Sequence, residues 1–212
     1  MIDTVTFETS TGRLLMPYEE YGLILANRSI SPPTPKVYRV KLEGANGSLD
    51  MTEWAGEIKY NDRTVSMTFR DMNGQHIPVV QALTGRLCKI TFSDDLDHYY
   101  EGRCDSVTSN TRKRVTDLAL KFTCKPYRIN KIETNVTADI TGYGTLQLMA
   151  ARMPVIPTVV LSSGFTFSWE NEDHVLAAGT HSPAWFVLSD KQETLALTGT
   201  GTVSLTWRDG VL

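Results

Sequence analysis

The chain has 212 residues, of which 41% are hydrophobic and 21% charged, and a formal net charge of −3. Those values fit a folded chain and exclude a disordered one, and the lack of a basic excess argues against a dedicated nucleic-acid binder. No apolar run reaches the ~18 residues of a membrane helix. Met1-Ile2-Asp3-Thr4 has no basic residue ahead of an apolar core, so the expectation is no signal peptide and folding in the cytoplasm.

In chain order, Val5 and Phe7 alternate with polar residues over 4–9, a strand, and Ser10-Thr11-Gly12 turns the chain. Tyr21, Leu23 and Leu25 predict a second strand over 20–27. Ser31-Pro32-Pro33-Thr34-Pro35 lacks three ladder donors and reads as an extended loop. The stretch 37–70 organises the rest. Tyr38, Val40 and Leu42 alternate with Arg39, Lys41 and Glu43, the pattern of a half-buried strand. Gly44-Ala45-Asn46-Gly47 supplies positive φ for a turn. Residues 56–63 form a strand end and turn, and Val65, Met67 and Phe69 mark the next strand.

Asp71-Met72-Asn73-Gly74 turns into a single short helix over 76–84, with Pro78 in the first turn and Gly85 just past the end. Cys88, Ile90 and Phe92 alternate, Ser93-Asp94-Asp95 turns, and residues 99–107 return to a polar hairpin tip at 109–114. Leu118, Leu120, Phe122 and Cys124 form the cleanest strand pattern, which Lys125-Pro126-Tyr127 is expected to end. A domain boundary is placed in 128–134, giving domains 1–129 and 130–212. In the second, Gly142-Tyr143-Gly144 reads as a turn. Residues 158–161, then Phe165, Phe167 and Trp169, the apolar run 184–188, Leu195 and Leu197, and Val203, Leu205 and Trp207 follow at the turn spacing of a sandwich. The fold class is all-β with one short helix.

No catalytic constellation emerges. HExxH, GxSxG and the P-loop are absent, and Gly199-Thr200-Gly201 lacks the strand and helix of a dinucleotide site. Asp94-Asp95-Leu96-Asp97-His98 lacks calcium-loop spacing and reads as a solvated turn. His174 and His181 read as loop residues, not zinc ligands. Cys88, Cys104 and Cys124 are odd in number and widely spaced, so they read as buried thiols. Trp169 and Trp207 continue apolar strand faces and read as core. Trp54, in a polar loop, and the basic cluster Arg112-Lys113-Arg114 are the candidate interface residues. The expectation is a protein without enzyme activity, cofactor or metal. The sequons at Asn27, Asn46 and Asn135 carry no meaning without a secretory signal.

Gly44, Gly47, Ser48, Leu49, Asp50, Tyr60, Arg63, Val65 and Phe69 resemble the N-terminal domain of distal tail proteins of long-tailed phages. So do the order of elements up to residue 127 and the terminator Thr123-Cys124-Lys125-Pro126-Tyr127. The closing stretch 197–212 is similar to the same family's C-terminal jelly-roll, or galectin-like, β-sandwich. In this resemblance Gly44, Gly47 and Asp50 form the family-motif turn. It implies an N-terminal ring-forming domain, a hexameric ring and a place at the virion tail tip after assembly in the host bacterial cytoplasm. The implied partners are the tail-tube protein and a tail-associated fibre or lysin-like tip protein, with DNA passing through the lumen unbound and no membrane insertion. Candidate inter-subunit pairing segments are 38–43, 48–59 and 108–114. The alternative from another class is a carbohydrate-binding sandwich that contacts the host surface.

Overall fold

The computed structural model describes residues 3–44, 46–54 and 56–212. Ala45 of the expected turn, and Met1 and Ile2 of the N-terminal reading, lie outside the described residues. Strand makes up 59% of the chain and helix 6%, so the fold is all-β. It divides into two compact units, Met1–Arg128 and Ile129–Leu212.

In the first unit the elements are β1 (Val5–Thr9), β2 (Leu14–Leu15), α1 (Pro17–Tyr21), β3 (Ile24–Ile30), β4 (Arg39–Lys41), β5 (Ser48–Asp50) and β6 (Arg63–Asp71). They continue with α2 (His76–Leu83), β7 (Leu87–Phe92), β8 (Asp95–Arg112) and β9 (Val115–Asn130). Seven strands hydrogen-bond in the order β2-β1-β7-β8-β9-β6-β3. The period-2 pattern sets the face of each. On β6, Val65, Met67 and Phe69 are buried, and opposite them on β9 lie Phe122, Leu120 and Leu118. Phe7 from β1 stacks on Phe122 at 5.6 Å. Val79, Ala82 and Leu83 of α2 close this core. Cys88, Cys104 and Cys124 are free and buried in it. Burial pushes the first two thiols up to about 11 and Cys124 up to about 12.

Asp71 ends β6 and starts α2. Its side chain is fully buried, accepting hydrogen bonds from the N–H groups of Asn73 (2.9 Å) and His76 (2.8 Å) and from His76 Nδ1 (2.7 Å). Burial alone would raise its pKa. These donors outweigh burial and hold the carboxyl below its usual range.

Three expectations need correction here. Among the described residues there are two helices, not one. Pro17 opens α1, and Gly22 closes it at φ 67, so the expected strand over 20–27 begins only at Ile24. Second, β9 runs through Pro126 to Asn130. Its ladder with β6 ends at Arg63 and Cys124, so the missing proline donor leaves no gap on that side. Third, Gly142-Tyr143-Gly144 is not a chain-reversing turn: the three lie within one strand and pair across to Gly199, Thr198 and Leu197, with Gly142 at φ 77°.

The second unit contains β10 (Thr134–Leu148), β11 (Thr158–Leu161), β12 (Phe165–Trp169), β13 (Glu172–Leu176), β14 (Gly179–His181), β15 (Glu193–Trp207) and β16 (Gly210–Val211). The sheet order is β13-β12-β15-β11-β14, with β10 along the other side of β15. One half of β15 pairs with β12 and the other half with β11. The changeover falls at Gly199 and Gly201, where φ is 156° and 147°. A Cβ at Gly199 would lie 2.6 Å from the Phe165 ring, and one at Gly201 2.5 Å from Ser162 Oγ. Only glycine permits this corner. Phe165, Phe167, Trp169, Phe186, Leu188 and Trp207 fill the core.

Candidate interaction surface

The residues between β3 and β6 form an arm. At its base, Ser31 and Thr64 bond reciprocally, Ser31 N–H to Thr64 O (2.9 Å) and Thr64 N–H to Ser31 Oγ (2.7 Å). Pro35 bridges Tyr60, and the Tyr60 ring meets Tyr127 edge-on at 6.1 Å. Farther out, Lys36 N–H donates to Lys59 O (2.7 Å) and Met51 N–H to Tyr38 O (2.8 Å). β4 and β5 then form a two-stranded sheet of their own, with Arg39 opposite Asp50, Val40 opposite Leu49 and Lys41 opposite Ser48.

The motif residues build its turns. Gly44 and Gly47 sit at φ 79° and 88° on either side of the tip, in open space, so their role is conformational. Asp50 Oδ1 accepts from the Thr52 hydroxyl (2.5 Å) and the Thr52 N–H (3.0 Å). The Thr52 hydroxyl, then its N–H, and more weakly Arg39, hold the Asp50 carboxyl below its ordinary range.

The register fixes two faces. Arg39, Lys41, Ser48 and Asp50 occupy one, while Val40 and Leu49 lie on the other with Tyr38 and Leu42 in step. The strand was expected to be half-buried, but Tyr38, Leu42 and Leu49 are each more than half exposed. The physical reason is that β4 and β5 pair only with each other among the described residues, so no layer covers the apolar face. A lone two-stranded ribbon is at best marginally stable in water. Covering its apolar side chains is worth roughly 1–2 kcal/mol each before association costs. Trp54, 73% exposed, sits on the returning leg of this arm.

Arg112, Lys113 and Arg114 lie on a different hairpin, at the β8–β9 turn, and all three are exposed. Lys113 adopts φ 59°, a strained conformation for a branched-chain-free but non-glycine residue. None of the three joins an ion pair among the described residues. Beyond residue 103, the outer side of β8 has no β7 partner. The arm and this tip are thus two separate patches.

The other polar constellations are satisfied locally. Asp94 pairs with Arg28, and Asp95 takes His98 Nδ1 at 2.7 Å and Arg128 Nη1 at 3.1 Å. His174 stacks on Trp185 at 3.8 Å, and the His181 ring nitrogen Nε2 donates to Ala177 O at 2.8 Å. Among the described residues no group of three or more His, Cys, Asp or Glu is placed to hold a metal. Trp169 and Trp207 are in the core, and His174 covers a face of Trp185. Of the aromatic side chains in the second unit, Tyr143 is the strongly exposed one.

The sequence pattern missed two features: the Arg28–Asp94 pair, whose members lie 66 residues apart with no local signal, and the lateral edge of β10.

No protein-family model matches the chain, and no curated protein matches it. Among solved structures, the chain is similar to the crystal structure of SPP1 Dit (gp 19.1), described as a paradigm of the hub adsorption apparatus in phages infecting Gram-positive bacteria. The TM-score is 0.64 at 14% identity, over 98% of this chain and 99% of that one. The chain has the Dit-like fold.

Proposed function

We propose that this chain is a structural hub protein of a phage tail tip, assembling head-to-tail into a hexameric ring that joins the tail tube to the adsorption apparatus. The observation that carries the ring is the uncovered apolar face of the β4–β5 arm. A half-buried sequence pattern without a cover among the described residues of its own chain asks for a cover from another. Each copy offers one arm, and a repeated head-to-tail contact whose rotation closes gives a ring and stops. The place of that ring in a tail rests on the Dit-like fold over the whole chain.

In this reading the first unit forms the ring, Gly44, Gly47 and Asp50 shape the arm, and Trp54 lies in the contact. The Arg112-Lys113-Arg114 tip faces a tail partner, namely the tail-tube protein or a tail-associated fibre or lysin-like tip protein. DNA passes through the lumen without specific binding. The second unit is the outward sandwich. Work is mechanical and not catalytic, in the virion.

Purified full-length chain is expected to sediment at several times its monomer mass and to give rings with a central hole in negative stain. Leu49→Asp, which puts a charge on the apolar face, is expected to abolish the rings while leaving the fold intact. A parent chain that stays monomeric over a wide concentration range, alone and with its tail-tube protein, would sink the reading.

A further inference from the structure

One side of β10 carries no ladder. All its residues from Thr134 to Leu148 pair with β15, and no strand among the described residues runs along the other side. Backbone groups of a strand point alternately to its two sides, so about half of those of β10 have no strand partner. Two of the usual protections of an edge are missing, and the one local irregularity is Gly142 at φ 77°. TNVTADITGYGTLQL contains no Pro and no Lys, and Asp139 is its one charged residue.

The core is unfinished along the same margin. Val136, Ala138 and Leu146 pack against it but are only partly buried. Their partners on β15, Leu205, Val203 and Leu195, are completely buried.

We propose that β10 is completed by β10 of a second copy, antiparallel across a two-fold axis, in the register that sets Val136 beside Leu146 of the partner subunit. Only an extended strand satisfies an alternating row of donors and acceptors. This strand is self-complementary. In that register Thr137 lies opposite the partner's Thr145, Asn135 opposite the partner's Gln147, and Asp139 opposite the partner's Tyr143. Thr141 meets its own copy. No like charges face each other, and the two half-covered side chains, Val136 and Leu146, cover each other twice. A one-residue slip would set core-facing rows against solvent-facing ones. The neighbouring allowed registers pair Val136 with the partner's Gly144 or with the partner's Leu148, a position already buried. This two-fold contact is distinct from the head-to-tail contact of the ring and does not depend on it.

Cysteine placement tests it in the full chain, because all three native thiols are buried. Facing residues of an antiparallel pair have Cα atoms about 4.5–5.5 Å apart, within disulfide range. Under mild oxidation Thr141→Cys is expected to give a disulfide-linked dimer on a non-reducing gel, and Thr137→Cys none. Charges test the register. Thr137→Lys with Thr145→Lys is expected to weaken the dimer roughly ten-fold by sedimentation, and Thr137→Lys with Thr145→Glu to restore it within about two-fold of the parent. Within one chain these positions are about 27 Å apart, so a rescue cannot arise internally. Running both pairs also in Leu49→Asp chains separates this contact from ring formation. A folded Thr141→Cys chain that stays unlinked, equal linking through residue 137, or a Lys–Glu pair no better than Lys–Lys overturns the proposal. So does occupation of this edge by an extended segment of a different protein instead of the second copy.

Discussion

β6 and the β4–β5 arm carry the same kind of pattern and meet opposite fates. On β6, Val65, Met67 and Phe69 alternate with polar residues and are almost fully buried under the first core. On the arm, Tyr38, Val40 and Leu42 alternate as regularly, yet their face is open. The strands differ in neighbours, not in sequence logic. β6 lies between β9 and β3, whereas among the described residues β4 and β5 pair only with each other. Alternation announces that a face is to be covered; it does not say which chain supplies the cover.

Four substitutions sharpen or break that contrast. The largest effect is expected in the β6 layer. Phe122→Ala removes a fully buried ring stacked on Phe7 and should cost about 3–5 kcal/mol in denaturant unfolding. A cost under 1 kcal/mol would mean that this core is far looser than its burial implies.

Next comes the end of β6. Asp71→Asn keeps the shape but removes the charge that binds three donors, and should cost about 1–3 kcal/mol at neutral pH. The Asp71 carboxyl is held below its unfolded value, so its contribution is complete above that value and is lost as the pH falls through the folded one. The acid limb of the stability–pH curve should therefore be shallower in Asp71→Asn than in the parent. Parallel limbs would contradict the assignment.

A smaller and opposite effect is expected at the β8–β9 tip. Lys113→Gly relieves the positive φ of an exposed turn and should raise stability by about 1 kcal/mol in a thermal melt, net of the flexibility glycine adds to the unfolded chain. The smallest effect belongs to the arm. Leu49→Asp should change monomer stability by less than about 0.5 kcal/mol, because the side chain is already in water. A large loss there would show that the arm folds against its own chain, and the contrast with β6 would collapse.

Much of the fold was legible because it rests on local chemistry. The alternation of Leu118, Leu120, Phe122 and Cys124 is a buried strand, and Pro78 and Gly85 bracket α2. The short α1 was hidden because Tyr21, Leu23 and Leu25 mimic a strand, although Pro17 and Gly22 marked its ends. Pro126 and Gly142-Tyr143-Gly144 misled for a shared reason. Punctuating residues break a strand only when a lateral partner needs what they lack, and lateral partners are set by residues far along the chain. For the candidate site, Trp54, the motif turn and the basic tip could be named from the sequence as expectations, and the structure gives their exposure and backbone geometry. The exposure of the arm and the open side of β10 were not readable, since side-chain period reports faces and never flanks.

The glycine corner in β15 has a mechanical consequence. Because this one strand serves β12 over half its length and β11 over the other half, neither partner can peel away without disturbing a segment that also holds β10. A tension applied along β15 would be resisted by many hydrogen bonds loaded in shear at once, instead of being released one at a time as in unzipping. The sandwich should consequently yield in a single step when pulled.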